Sequence, residues 1–183
     1  MPRVLVPLAP GFEELEAVTI VDLLRRAGIE VVTAGLAEGP VRASRGVVLV
    51  PDSTPGQVAD DDFDMLALPG GLPGADHLNA DPRIHSLLRR TAAAGGYAAA
   101  ICAAPKVLAD AGLLDGRQAT GYPGVLDRLN LPRTELLHRA VVTDGRVVTS
   151  RGPGTAMDFA LELIERLLGK TKRDEVEAPL VRP

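Results

Sequence analysis

The sequence predicts an α/β fold, a mostly parallel sheet with helices on both faces. Three observations predict it. Short runs that are apolar at every position read as strands buried on both sides. Longer stretches with a 3.6-residue apolar period alternate with those runs, as in βαβ units. The 19 glycines and 15 prolines fall at the junctions and not in one low-complexity block.

Residues 4–8 are the first strand. Residues 13–27 follow helical spacing, with Leu15, Val18, Ile20, Leu23 and Leu24 apolar, and Gly28 closes that helix. Residues 31–34 are the second strand. Residues 41–43 and 47–50 read as a hairpin turning at Ser44-Arg45-Gly46. Residues 65–68 form a buried strand that ends in Pro69-Gly70-Gly71. A helix over 81–94 follows, with Asp81 as its N-cap and Pro82 at the first helical position. Residues 97–101 are a strand and 103–111 a helix, with Pro105 in its tolerated first turn. A second hairpin joins 140–143 to 147–150 around Asp144-Gly145, a strong turn signal. Residues 155–168 are an amphipathic helix, and 170–183 read as a charged tail. In such sheets a site forms at the carboxyl ends of the strands. Leu8, Leu68 and Ile101 end their strands near that edge, so the segments after them converge.

The 183 residues fit a single domain spanning 1–183, well above the size at which a core is hard to build. With 46% hydrophobic and 24% charged residues the chain is expected to be folded and soluble. A net charge of -4, no basic stripe and no Trp argue against nucleic acid as a partner. No apolar run approaches membrane-spanning length, so no membrane partner is expected. The chain enters its first strand without a signal-peptide pattern, and one cysteine excludes an internal disulfide. Together these point to the cytoplasm.

That cysteine, Cys102, is the most informative residue. It lies at the turn between the strand at 97–101 and the following helix, where unpaired amides and the helix dipole favour a thiolate. The local sequence equally allows a small inert core residue. Glu16 stands at i+4 from Phe12 and i-4 from Ile20, on an apolar face, so its carboxyl is expected to be partly buried. A buried carboxyl stays protonated and can donate to a thiolate. Glu13 and Glu14, in the first turn, read as capping and solvated residues. Gly70-Gly71 allow close backbone approach and N–H groups aimed at a bound oxygen, although a tight turn alone also explains them.

Five stretches, in order along the chain, are Gly11-Phe12-Glu13-Glu14-Leu15-Glu16, Arg25-Arg26-Ala27-Gly28, Leu68-Pro69-Gly70-Gly71, Ala100-Ile101-Cys102-Ala103-Ala104-Pro105 and Thr149-Ser150-Arg151-Gly152-Pro153-Gly154-Thr155. Together with Ala178-Pro179-Leu180-Val181 they resemble the ThiJ/PfpI superfamily, in the branch of the Parkinson-disease-associated protein deglycase and its bacterial relatives. The resemblance implies a flavodoxin-like three-layer sandwich of the class I glutamine-amidotransferase type, and a homodimer. It implies a nucleophilic Cys102 on a strained elbow and a protonated Glu16 bonded to its sulfur. It carries the amide donors over to Gly71 and Ala103, with Gly70 beside them. Arg26 and Arg45 match arginines near the dimer interface, where residues alone would suggest surface solvation, and Pro153 matches a pocket residue.

The chain departs from many relatives at Tyr122, which stands where they carry a histidine. His77, His85 and His138 fall elsewhere, so a Cys-His-Asp protease has no visible base and peptidase activity is not expected. Tyr122 walls the pocket or offers a hydroxyl to a carbonyl. The implied function is a cysteine-dependent enzyme on reactive carbonyls, a glyoxalase or protein deglycase. Its substrates would be glyoxal, methylglyoxal or their adducts on protein amines. No metal and no organic cofactor is expected. The alternative is a redox-responsive chaperone or oxidative-stress sensor working through oxidation of Cys102.

Overall fold

Side-chain alternation along the central strands sorts the core into two layers. In β1 (Arg3–Leu8), Val4, Val6 and Leu8 join one cluster and Leu5 the other. In β5 (Met65–Leu68) and β6 (Tyr97–Ile101), Met65, Ala67, Ala99 and Ile101 face the first cluster, while Leu66, Leu68, Ala98 and Ala100 face the second. A period of two inside uniformly apolar runs means that both faces are covered. The computed structural model describes residues 1–182.

On the first face lie α1 (Glu14–Arg26) and α5 (Ala156–Leu168), packing Ala17, Ile20, Leu24, Phe159 and Leu163 on the sheet. On the second lie α2 (Gly74–Ala80), α3 (Pro82–Ala93) and α4 (Pro105–Asp110), with Leu78, Ile84, Leu88 and Leu108. With β2 (Glu30–Gly35), β9 (Val141–Asp144) and β10 (Val147–Ser150), the six-stranded sheet has the order β2-β1-β5-β6-β10-β9. All its neighbours are parallel except β9, which pairs antiparallel with β10 at the edge. The chain leaves β1 toward β2 and returns to place β5 on the other side of β1. The strand order therefore reverses between β1 and β5, and the loops after their carboxyl ends open a crevice.

The expected hairpins form with shifted ends: β3 (Val41–Arg42) pairs with β4 (Val48–Leu49), and β9 runs through Asp144. Asp81 caps α3 as expected, accepting from the Arg83 N–H at 2.9 Å. It also forks to the Arg83 guanidinium, whose hydrogen bond holds the carboxyl below its usual range. Asp81→Ala is expected to cost about 1 kcal/mol, read as a lower urea midpoint with an unchanged slope. The segment read as a charged tail instead contains α6 (Lys170–Glu177), which buries Val176 against the α1 and α5 layer. A short parallel pair, β7 (Gln118–Ala119) and β8 (Glu135–Leu136), also has no counterpart in the sequence reading. Among the described residues no helix is long and apolar enough to cross a membrane.

Candidate functional site

Cys102 is 7% exposed and sits at φ 64, in the left-handed region that residues with a Cβ rarely occupy. Its backbone is held from both sides: its N–H donates to Ser150 O at 3.0 Å, and its C=O accepts from Tyr122 N at 2.8 Å. The Ala104 N–H closes the turn on Ile101 O at 3.0 Å. β6 thus ends one residue before the elbow, and α4 starts only at Pro105. The helix predicted over 103–111 is shorter at both ends, six residues long. Its dipole is correspondingly a smaller influence on the thiol than the sequence suggested.

The glycine turn after β5 fits against that elbow. A Cβ on Gly70 would lie 2.6 Å from the Cys102 Cβ and 2.8 Å from Ile101 O. Gly71, at φ 88, would put a Cβ 2.5 Å from Glu13 N. Only glycines let the turn pass between the cysteine and the start of α1. The Gly71 and Ala103 N–H groups lie on the Cys102 sulfur side of this turn and favour its anion. Gly70 departs from the expected role of donor. Its N–H is committed to Glu16 Oε2 at 2.8 Å and its C=O to Glu13 N at 2.9 Å, so it spaces the site and leaves no donor for a ligand.

Glu16 is completely buried, more than its apolar face alone predicted. Glu13 caps α1 from in front of it, accepting from the Glu16 N–H at 2.7 Å. Glu16 Oε1 is buried without an aligned hydrogen bond, and the Cys102 thiol lies against the carboxyl within hydrogen-bonding range. Burial pushes Glu16 up to about 7, against the Gly70 and Cys102 hydrogen bonds that favour its anion. Burial first, then the Glu16 charge, pushes the Cys102 thiol up to about 12, while the Gly71 and Ala103 amides pull the other way. A thiol lowered by the helix terminus alone is therefore not what the fold provides. The two groups form one coupled acid. With Glu16 ionised the thiolate is repelled. With Glu16 protonated that repulsion vanishes and its O–H can donate to sulfur, so the thiolate belongs with a neutral Glu16.

An open cleft of about 410 Å³ reaches the Cys102 side of this pair, lined by Glu13, Ser44, Arg45, Gly71, Leu72, Cys102, Ala103, Tyr122, Val125 and Pro153. Tyr122 and Pro153 are among the lining residues, and the Tyr122 side chain packs against Gly152. Arg45 also lines it, whereas Arg26 lies apart and pairs with Asp22 at 2.9 Å. No histidine lines the cleft; His77 is in α2, with Nδ1 at 2.9 Å from Pro10 O. Sequence reasoning missed Ser44, Leu72 and Val125. It also took Glu14 as solvated, whereas its carboxylate holds Ser44 Oγ at 2.9 Å and Arg45 N at 2.8 Å. No short-range pattern signals that contact across 30 residues. Among the described residues no cluster of three or more His, Cys, Asp or Glu could hold a metal ion.

A sheet covered on both faces, with a cysteine on a left-handed strand-to-helix elbow at its carboxyl edge, defines a class of cysteine-centred α/β proteins. The chain belongs to the DJ-1/PfpI family, whose sequence profile matches residues 2–166. It is 47% identical to Protein dj-1beta of Drosophila melanogaster over 178 residues, 97% of this chain and 95% of that one. It is 38% identical over 168 residues to a Caenorhabditis elegans protein named glutathione-independent glyoxalase DJR-1.2, covering 92% of this chain and 89% of the relative. The crystal structure of Drosophila melanogaster DJ-1beta matches with a TM-score of 0.95 at 44% identity, covering 100% of this chain and 98% of that one. The fold is the flavodoxin-like α/β sandwich that the sequence resemblance implied.

Proposed function

We propose that the protein is a cysteine-dependent enzyme that converts small reactive dicarbonyls to 2-hydroxy acids, with Cys102 as nucleophile and Glu16 as proton carrier. The observation that carries this reading is the buried Glu16 carboxyl against the Cys102 thiol, at the floor of a cleft where two N–H groups favour the sulfur anion. The glyoxalase name of the Caenorhabditis elegans relative supports it.

The thiol proton passes to Glu16, the sulfur adds to the aldehyde carbon of methylglyoxal, and Glu16 returns the proton to the new alkoxide, which gives a hemithioacetal and a free Glu16 carboxylate. The Gly71 and Ala103 amides are the nearest donors to the oxygen that gains charge. Glu16 then moves the C1 proton to C2 through an ene-diol, which yields a 2-hydroxy thioester. Water cleaves that thioester to lactate and returns the thiol. The net reaction is methylglyoxal plus water to lactic acid, with no oxidant or reductant. Early adducts of the same aldehydes on protein amines present the same carbon to sulfur, which makes deglycase turnover the companion activity. A Cys-His-Asp peptidase is not proposed, because no histidine among the described residues lines the cleft. Lactate formation from methylglyoxal is the test: Cys102→Ser is expected to reduce it to the uncatalysed rate, and equal rates in the two proteins would end the proposal.

The same two amides favour a second use of the sulfur. In this reading they would donate to the oxygens of a sulfinate, and no other cysteine in the chain can resolve a sulfenic acid. This supports the role of an oxidative-stress sensor or redox-responsive chaperone, alongside the enzyme. The single domain, the cytoplasmic location and the homodimer belong to this proposal as well. Leu15 and Val18 on α1, with Val48 and Val50 on the β3–β4 hairpin, leave an exposed apolar patch that a second copy would cover.

A further inference from the structure

We infer that Arg45 is a carboxylate anchor, which holds the carboxylate of a small 2-hydroxy acid at the exposed side of the cleft. The inference rests on the proposed function, because lactate and glycolate are the acids that the proposed reaction releases from the sulfur.

Among the described residues Arg45 is the one arginine or lysine lining the Cys102 cleft. Within one protomer its guanidinium makes only a long contact, NH1 to Ser44 O at 3.4 Å, and no carboxylate among the described residues lies within ion-pair distance of it. Most other arginines of the chain are engaged in ion pairs or on carbonyls, as Arg26 is on Asp22 and Arg83 on Asp81. A free, permanently charged fork in a cleft suits a planar two-oxygen anion.

The mount beneath it is rigid. The β3–β4 loop is fastened to the entry of α1 by Gly11 N–H to Arg42 O and Ser44 N–H to Phe12 O, both at 2.8 Å. Glu14 adds two further bonds, from Ser44 Oγ and the Arg45 N–H. Burial opposes the Glu14 charge, yet its own backbone N–H together with these hydrogen bonds holds its carboxyl below the usual range. Glu14 is thus a positioning residue, which fixes the Arg45 backbone relative to the helix that also carries Glu16. Glu13, the one carboxylate among the described residues that line the cleft, is turned onto the Glu16 N–H and is not paired with Arg45. The ends of the cleft are chemically distinct: N–H donors and sulfur at its buried floor, a free guanidinium at its exposed side.

The test uses protection of Cys102 from alkylation, which needs no turnover. Glycolate is expected to protect the wild-type thiol and glycolamide, its neutral isostere, to protect it far less. Arg45→Gln is expected to weaken glycolate protection about tenfold and leave glycolamide unaffected. Arg45→Lys, which keeps charge but loses the fork, should retain part of it, and Glu14→Gln should lose part through the loosened loop. Equal protection by glycolate and glycolamide, or full protection in Arg45→Gln, overturns the inference. If the protection depends on Arg45 but methylglyoxal gives no lactate, the anchor stands and the proposed reaction falls. The converse pair of results removes the anchor alone.

Discussion

Replacing Glu16 by glutamine will make the protein more stable than wild type at pH 8 and will abolish a pH dependence that wild type shows between about pH 4.5 and 7. The sign follows from the buried carboxyl. The folded state pushes Glu16 from 4.5 up to about 7, so it binds this proton more tightly than the unfolded chain does. Wild-type stability is therefore greatest below the unfolded value, falls as pH rises toward 7, and levels off above it. The gap corresponds to about 3 kcal/mol, an order of magnitude that relaxation of the site will reduce. Glutamine keeps an oxygen for the Gly70 N–H and carries no charge to bury. Urea midpoints across this pH range will read the effect, and parallel wild-type and Glu16→Gln curves would show that the carboxylate is not buried at a cost.

The same substitution separates the two halves of the coupled acid. In wild type, the rate of Cys102 alkylation is expected to rise in more than one step, the first near the pH at which Glu16 titrates. In Glu16→Gln a single step should remain, because no charge is left to repel the thiolate. Identical profiles would mean that the sulfur does not sense this carboxyl, and the proposed proton transfer between them would fail with it.

Gly71→Ala will unfold the site and much of the fold's stability with it. The new Cβ would meet the Glu13 N at 2.5 Å, Gly11 O at 2.7 Å and Phe12 C at 2.8 Å, all backbone atoms, at a φ of +88. None of these can swing aside as the end of a long side chain can. A cost above about 3 kcal/mol is expected, with a fall in Tm on the order of 10 °C. Gly95→Ala is the control. Its φ is +84, but nothing lies within 4 Å of the added carbon, so only the backbone strain of about 1–2 kcal/mol remains. Similar losses at the two positions would show that close approach at Gly71 contributes nothing.

Local chemistry determined a good part of this protein. Runs apolar at every position gave away β1, β5 and β6, since a strand covered on both faces has no room for polar residues. Asp81-Pro82 marked the start of α3, because capping acts within three residues. Asp144-Gly145 marked a hairpin, because that turn needs the positive φ that Gly145 adopts. Cys102 and Glu16 stood out by residue type and by spacing. Elements whose stability comes from elsewhere stayed hidden. The α6 segment is polar over most of its length and is held by the burial of Val176 and by ion pairs such as Arg173 with Glu177. The β7–β8 pair joins residues too far apart for any local pattern.

Only the tertiary structure decided what the cysteine's neighbours do. Burial sets the proton balance of Glu16 and Cys102, and burial is a property of the packed sheet and helices, not of a stretch of chain. It turned an expected low-pKa thiol into one half of a coupled pair. It also took the Gly70 amide away from ligands by giving it to Glu16, and brought Glu14 across to hold Arg45 at the cleft. Residue types and spacings are written along the chain. Which charge is desolvated, which amide is free and which arginine has no partner depend on distances between segments that only folding brings together.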